Sequence, residues 1–212
     1  VVAGHLFIVI ASLVRIAEAA ETNEAQRGWL LVSLTWGLLL FTKNEATILM
    51  SPLIVLLVIA ILVHQHGRGL RMQYSIMTPI CIFALLSLPW MLFKWKHGMT
   101  FGNAKSVSGN DIYFDLIAFK SIVWQITHEA NFLLLPFVLL LTIVRRGKAC
   151  LALPDALIIG FFLGIAILQI GIFNFVGALH NEAILQTGLN RGFLQITPLA
   201  VWWVARATER RV

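Results

Sequence analysis

The chain has 212 residues, of which 59% are hydrophobic and 12% charged, with a mean hydropathy of +0.86. So little polar surface cannot cover such an apolar content in water, which excludes an ordinary soluble globular fold and makes lipid the natural solvent. The formal net charge of +6 does not mark a nucleic-acid partner, because the Lys and Arg residues are scattered over connecting segments with no basic stripe or recognition motif.

In hydrocarbon every backbone donor and acceptor must be satisfied within its own segment, so apolar stretches separated by short polar ones predict helices. Strand alternation of the barrel kind is absent. About seven segments approach spanning length: Val1–Ile16, Gly28–Phe41, Ala46–Val63, Ile76–Phe93, Ala130–Val144, Ala156–Val176 and Leu189–Ala205. The expected fold is all-α, a polytopic transmembrane helical bundle forming a single domain over residues 1–212. The second, fifth and seventh segments are short or carry polar residues, which predicts tilt or enclosure by neighbours. The first apolar stretch is already under way at Val1 with no basic region before it, so it reads as a span of a longer, N-terminally truncated polypeptide and not as a cleaved signal. Cys81 and Cys150 imply no disulfide framework.

Orientation follows from the excess of Lys and Arg in short cytoplasmic loops. With His64–Met72 inside, alternation of the spans places Arg15 to Arg27, the Arg145, Arg146, Lys148 group and the tail carrying Arg206, Arg210 and Arg211 on that side. Ten of the 16 basic residues then lie inside, and four of the other six share one long loop, where the rule weighs less. The outer face owns the turn Thr42–Glu45, the loop Lys94–Glu129 and the loop Gly177–Arg191. Within the long loop, glycines, serines and asparagines from Gly98 to Asn110 read as turns. Ile112–His128 follows, with apolar residues recurring at three and four: Tyr113, Leu116, Ile117, Phe119, Ile122, Val123 and Ile126. That spacing predicts an amphipathic helix, with Asp115 and Lys120 on its polar side, lying in the outer membrane–water interface.

Three stretches carry candidate chemistry. Lys43 and Glu45 occupy a four-residue charged turn between apolar segments; ionisable residues at that depth face a cavity or one another, unless they simply reach the interface. Asn190 and Arg191 precede a span on the same outer face, where the guanidinium fork suits a phosphate, a lipid headgroup or Glu182. The third stretch, Pro89-Trp90-Met91-Leu92-Phe93-Lys94, reads first as an interfacial anchor of aromatic and basic residues. The histidines are dispersed and make no metal site. Neither a Gly-rich phosphate loop nor a Ser-centred elbow is present.

The run Gly37 to Ala46, then Pro89 to Lys94, then Asn190-Arg191-Gly192-Phe193-Leu194-Gln195-Ile196-Thr197-Pro198 resembles the GT-C class of membrane glycosyltransferases. The likeness is to bacterial relatives of the dolichyl-phosphate-mannose protein mannosyltransferases and the lipid A aminoarabinose transferase (glycosyltransferase family 39-like). The resemblance implies a multi-pass enzyme of the bacterial cytoplasmic (inner) membrane that transfers a sugar from a polyprenyl-phosphate-linked donor to an acceptor on the extracytoplasmic face. Lys43 and Arg191 would then stabilise the leaving phosphate, with Glu45 orienting Lys43 or lining the acceptor site and Asn190 beside them. The acidic catalytic motif of that class belongs to its first outer loop, which places the catalytic base upstream of Val1; Asp111 and Asp115 are not obvious substitutes. A divalent metal is compatible with such chemistry, and no site for one is readable. The implied partners are the lipid-linked sugar and membrane lipids, with no nucleic acid. The competing readings are a transporter or flippase and a lipid-linked polysaccharide ligase or polymerase.

Overall fold

The computed structural model describes residues 1–19, 22–42, 49–67, 73–98, 112–128, 130–185 and 188–209. Nearly all of them are helical, in the order α1 (Val2–Glu18), α2 (Thr22–Thr42), α3 (Ser51–Gly67), α4 (Gln73–Lys96), α5 (Leu116–His128), α6 (Ala130–Arg146), α7 (Leu153–Phe175), α8 (Gly177–Ile184) and α9 (Gly188–Glu209). A 3-10 turn, Gly147–Leu151, joins α6 to α7. The all-α expectation holds among the described residues, where the only strand-like pairing is the isolated bridge between Ile112 and Val176. Each apolar segment expected to span lies on a helix apart from its terminal Val1 or Val176 and from residues 46–48, which fall outside the described residues.

Among the described residues, two helices are long and apolar enough to cross a membrane: Thr78–Lys96 within α4, and α7. At 1.5 Å per residue the 23 residues of α7 reach roughly 35 Å, against a hydrocarbon core of about 30 Å. The core helix of a water-soluble protein would be mostly covered, whereas only 17% of the α4 window and 28% of the α7 window is buried. Leu85, Leu88 and Leu92 on α4 and Leu163 and Ile167 on α7 face outward. Exposed apolar bands of this kind suit lipid and not water. Helix α3 is as apolar but has 17 residues, about 25 Å. Helices α2 and α9 are long enough, but polar residues such as Glu24, Arg27, Asn190 and Arg191 fall inside them. Of the roughly seven spans expected from the sequence, these two meet both criteria among the described residues.

The chain divides into two compact units, Val1–Asn103 with Ala152–Phe161, and Ala104–Leu151 with Phe162–Val212. In the first, α2 packs against both α1 and α4, and α3 lies on α1. Leu6, Val9, Ile10, Leu13, Val14 and Ile16 of α1 are fully buried, as an apolar helix inside a bundle requires. Helix directions are legible from contacts along each pair. Trp36 meets Phe83, Gly37 meets Leu86 and Phe41 meets Trp90, so α2 and α4 run parallel. Buried Gln65, near the end of α3, donates its Nε2 hydrogen to the carbonyl of Ile16 near the end of α1 at 2.9 Å, so α1 and α3 end side by side. Gly37 is required for the α2–α4 approach: a Cβ there would stand 2.9 Å from the Leu86 Cβ. Small residues let membrane helices pack at this distance.

In the second unit α6 packs against α5 and α9, and α8 contacts α5 and α9. Arg146, the last residue of α6, donates from an Nη1 hydrogen to the carbonyl of Ala207 near the end of α9 at 3.0 Å. The end of α6 and the end of α9 therefore lie together. Elsewhere in this unit, the segment before α5 meets the end of α7: the Tyr113 N–H donates to the Phe175 carbonyl at 2.9 Å.

Candidate functional site

Lys43 and Glu45 lie outside the described residues. The helix that leads to them is well defined. Phe41, on the last turn of α2, stacks on Trp90 of α4 with centroids 5.5 Å apart, and Trp90 stacks on Phe93 at 5.8 Å. Phe93 in turn meets the His97 ring at 4.5 Å. The Lys94 ammonium sits over the Trp90 ring, 5.1 Å from its centroid. Lys94 is only 3% exposed, so the cation–π contact forms in a desolvated setting where it is worth most. Trp90 Nε1 is buried without a hydrogen-bond partner among the described residues. The structure thus brings the Phe41 end of the first sequence motif onto the third, at one end of the parallel pair α2 and α4.

Asn190 and Arg191 lie in the first turn of α9, and their side chains are outside what the structure describes. Gly192, the next residue, rests against the carboxamide of Gln169 on α7, so closely that any Cβ would collide with it. Gln169 is buried, and its Oε1 has no hydrogen-bond partner among the described residues. Sequence reasoning passes over Gln169, although an amide inside the most apolar helix is a sign of a polar contact between helices.

The second unit also holds a polar cluster whose members look unrelated in the sequence. Asp115 immediately precedes α5, and its Oδ1 accepts from the N–H groups of Ile117 at 2.7 Å and Ala118 at 3.1 Å. The amphipathic helix expected from Ile112 therefore begins at Leu116, and Asp115 is its N-cap and not a member of its polar face. Asp115 Oδ2 stands 3.3 Å from Nδ1 of His180 on α8, within ion-pair range but without the alignment of a hydrogen bond. His180 Nε2 lies 3.1 Å from the Asn174 carbonyl, and the Tyr113 ring meets the imidazole edge-on at 4.8 Å. The Ala118 N–H above all, then that of Ile117 and the nearby imidazole, hold the Asp115 carboxyl below the usual aspartate value against an opposing effect of desolvation. A carboxylate so committed is a weak base.

Further along the same interface, Ser121 Oγ and Gln125 Nε2 both donate to the Ala183 carbonyl, at 3.2 Å and 2.7 Å. Ala118, Ile122 and Ala183 close the contact beneath them, with Ile126, Ile170, Phe173 and Phe193 around it. Helix α5 is therefore held to α8 by polar groups at its start and middle. Its other face leaves Ile117, Val123 and Trp124 exposed.

Among the described residues no group of three or more His, Cys, Asp or Glu side chains is placed to hold a metal ion. The chain matches no known protein family, no curated protein and no solved structure.

Proposed function

We propose that the chain belongs to a multi-pass inner-membrane glycosyltransferase that moves a sugar from a polyprenyl-phosphate donor to an acceptor on the extracytoplasmic face. The observation that carries this reading is the order of the three motifs, Gly37–Ala46, Pro89–Lys94 and Asn190–Pro198, together with the meeting of the first two at Phe41 and Trp90. An ammonium over one ring of an aromatic stack suits a ligand that is apolar at one end and anionic at the other. In this reading Lys43 and Arg191, with Asn190 beside Arg191, stabilise the phosphate as it leaves, and Glu45 orients Lys43. Helix α5 lies in the outer interface, its apolar face toward lipid and its capped start at the end of α7.

The direct test is sugar transfer from a radiolabelled polyprenyl-phosphate donor in membranes carrying the protein expressed from its full coding sequence. Lys43→Ala and Arg191→Ala are each expected to lower the rate constant by roughly a hundredfold, the usual consequence of removing one charge-stabilising donor. Full transfer by both variants would eliminate the site assignment. Sugar-independent movement of the lipid carrier across the bilayer would instead favour a flippase.

A further inference from the structure

The imidazole of His180 is held between two acceptors. Nε2 faces the Asn174 carbonyl at 3.1 Å, and a carbonyl can only accept, so that nitrogen carries a hydrogen. In a neutral ring Nδ1 then presents a lone pair to the Asp115 carboxylate 3.3 Å away, an arrangement of two electron-rich atoms. His180 is 4% exposed, so water has little access to relieve it. One added proton turns the same contact into an N⁺–H group facing an anionic oxygen, the stronger class of hydrogen bond.

We propose that His180, Asp115 and the Asn174 carbonyl form a proton-binding clamp that ties the amphipathic helix α5 to α8, tight when His180 is an imidazolium and loose when it is neutral. The clamp acts where α5 joins the rest of its unit. The segment entering α5 is fixed by the Tyr113 and Asp115 N–H groups donating to the Phe175 and Asn174 carbonyls, at 2.9 Å and 3.3 Å. Asp115 also caps α5, so repulsion of its carboxylate strains the first turn of the helix directly. Histidine is the side chain that changes charge across the ordinary environmental range, between about pH 5 and 8. The compartment whose pH the clamp reads rests on the orientation proposed above.

Among the described residues no other titratable group around the clamp supplies its proton. Tyr113 presents only a ring edge. On α5, Lys120 is exposed on the side away from the buried Ala118 and Ile122. His128, at the far end, stacks on Trp124 at 3.8 Å and hydrogen-bonds Thr127. The end of α7 contributes only neutral Asn174 and Phe175, and the side chains of Glu182 on α8 and Arg191 on α9 are outside the described residues.

Hydrogen–deuterium exchange of the α5 amides, measured on the full chain in lipid nanodiscs and corrected for intrinsic exchange, tests the clamp. Wild type should show roughly tenfold greater protection over residues 117–126 at about pH 5.5 than at about pH 8, the worth of one hydrogen bond to a charged group. His180→Gln retains a donor for the Asn174 carbonyl but cannot gain charge, and Asp115→Asn retains an N-cap but removes the anion; both should flatten the step. His128→Gln should keep it. An unchanged step in His180→Gln, its loss in His128→Gln, or no step in wild type would overturn the proposal. Because exchange does not depend on sugar transfer, this outcome is separable from failure of the enzymatic reading.

Discussion

The C-terminal end of α4 and the start of α5 solve the same problem, a charge on a largely apolar chain, in opposite ways. At α4 a cation, Lys94, is buried with its ammonium over the ring of Trp90, on which Phe41 of α2 stacks. At α5 an anion, Asp115, is surrounded by backbone N–H groups and an imidazole. The first arrangement depends on helix packing. The second depends on hydrogen bonds and on who holds the proton. Packing therefore governs the end of α2 that leads to Lys43, and protonation governs the attachment of α5.

The contrast between the two regions breaks most readily at Gly37. A valine there forces side-chain methyls into Leu86, whose Cβ would lie only 2.9 Å from the first side-chain carbon, and is expected to destabilise the α2–α4 pair by about 1–3 kcal/mol. Reversible unfolding in mixed micelles would measure this, and loss of the Phe41–Trp90 stack should accompany it as a shift in Trp fluorescence. Unchanged stability would mean that the two helices separate easily and that packing does not hold the aromatic end together.

A smaller effect is expected in acid. The folded Asp115 carboxyl titrates below its ordinary value of 3.8, so its stabilisation of α5 is fully present above that value and is lost as pH falls through the lowered one. Helical content of α5 followed by hydrogen exchange should therefore persist at pH values where free aspartate is already protonated. Loss of protection already as pH falls from about 5.5 toward the ordinary value would contradict the capping geometry.

Much of the helical framework was legible because apolar runs in lipid leave the backbone few alternatives. The boundaries of α6 and α7 fall within a few residues of those expected from Ala130 and Ala156, since charged or turn-forming residues flank them. Helix α5 starts four residues later than expected, at Leu116 and not Ile112, because apolar periodicity extends back through Tyr113 while the capping aspartate sits two residues further on. Helix α8 has no counterpart in the sequence reading: eight residues with Gly177, His180 and Asn181 among them carry no spanning signal. The Asp115–His180 pairing joins positions far apart in sequence, and nothing local announces it. Gln65 and Gln169 were equally silent, because a buried amide in an apolar helix reveals that it has a partner but not which one. Of the candidate phosphate-binding residues, Asn190 and Arg191 fall on the first turn of α9, which begins at Gly188, one residue before the expected Leu189. The motif near Trp90 reads as an anchor in the sequence, and the structure adds its stacking against Phe41.

Membrane topology is the central claim and the one most directly measured. Single cysteines introduced into a chain lacking Cys81 and Cys150 can be probed with a membrane-impermeant maleimide in intact cells. Trp95→Cys, Tyr113→Cys and Leu185→Cys should react from outside, whereas His66→Cys, Lys148→Cys and Thr208→Cys should react only after permeabilisation. If any member of the first set is shielded while its companions react, or if His66→Cys and Lys148→Cys label from opposite sides, the shared outer face on which the proposed site depends does not exist.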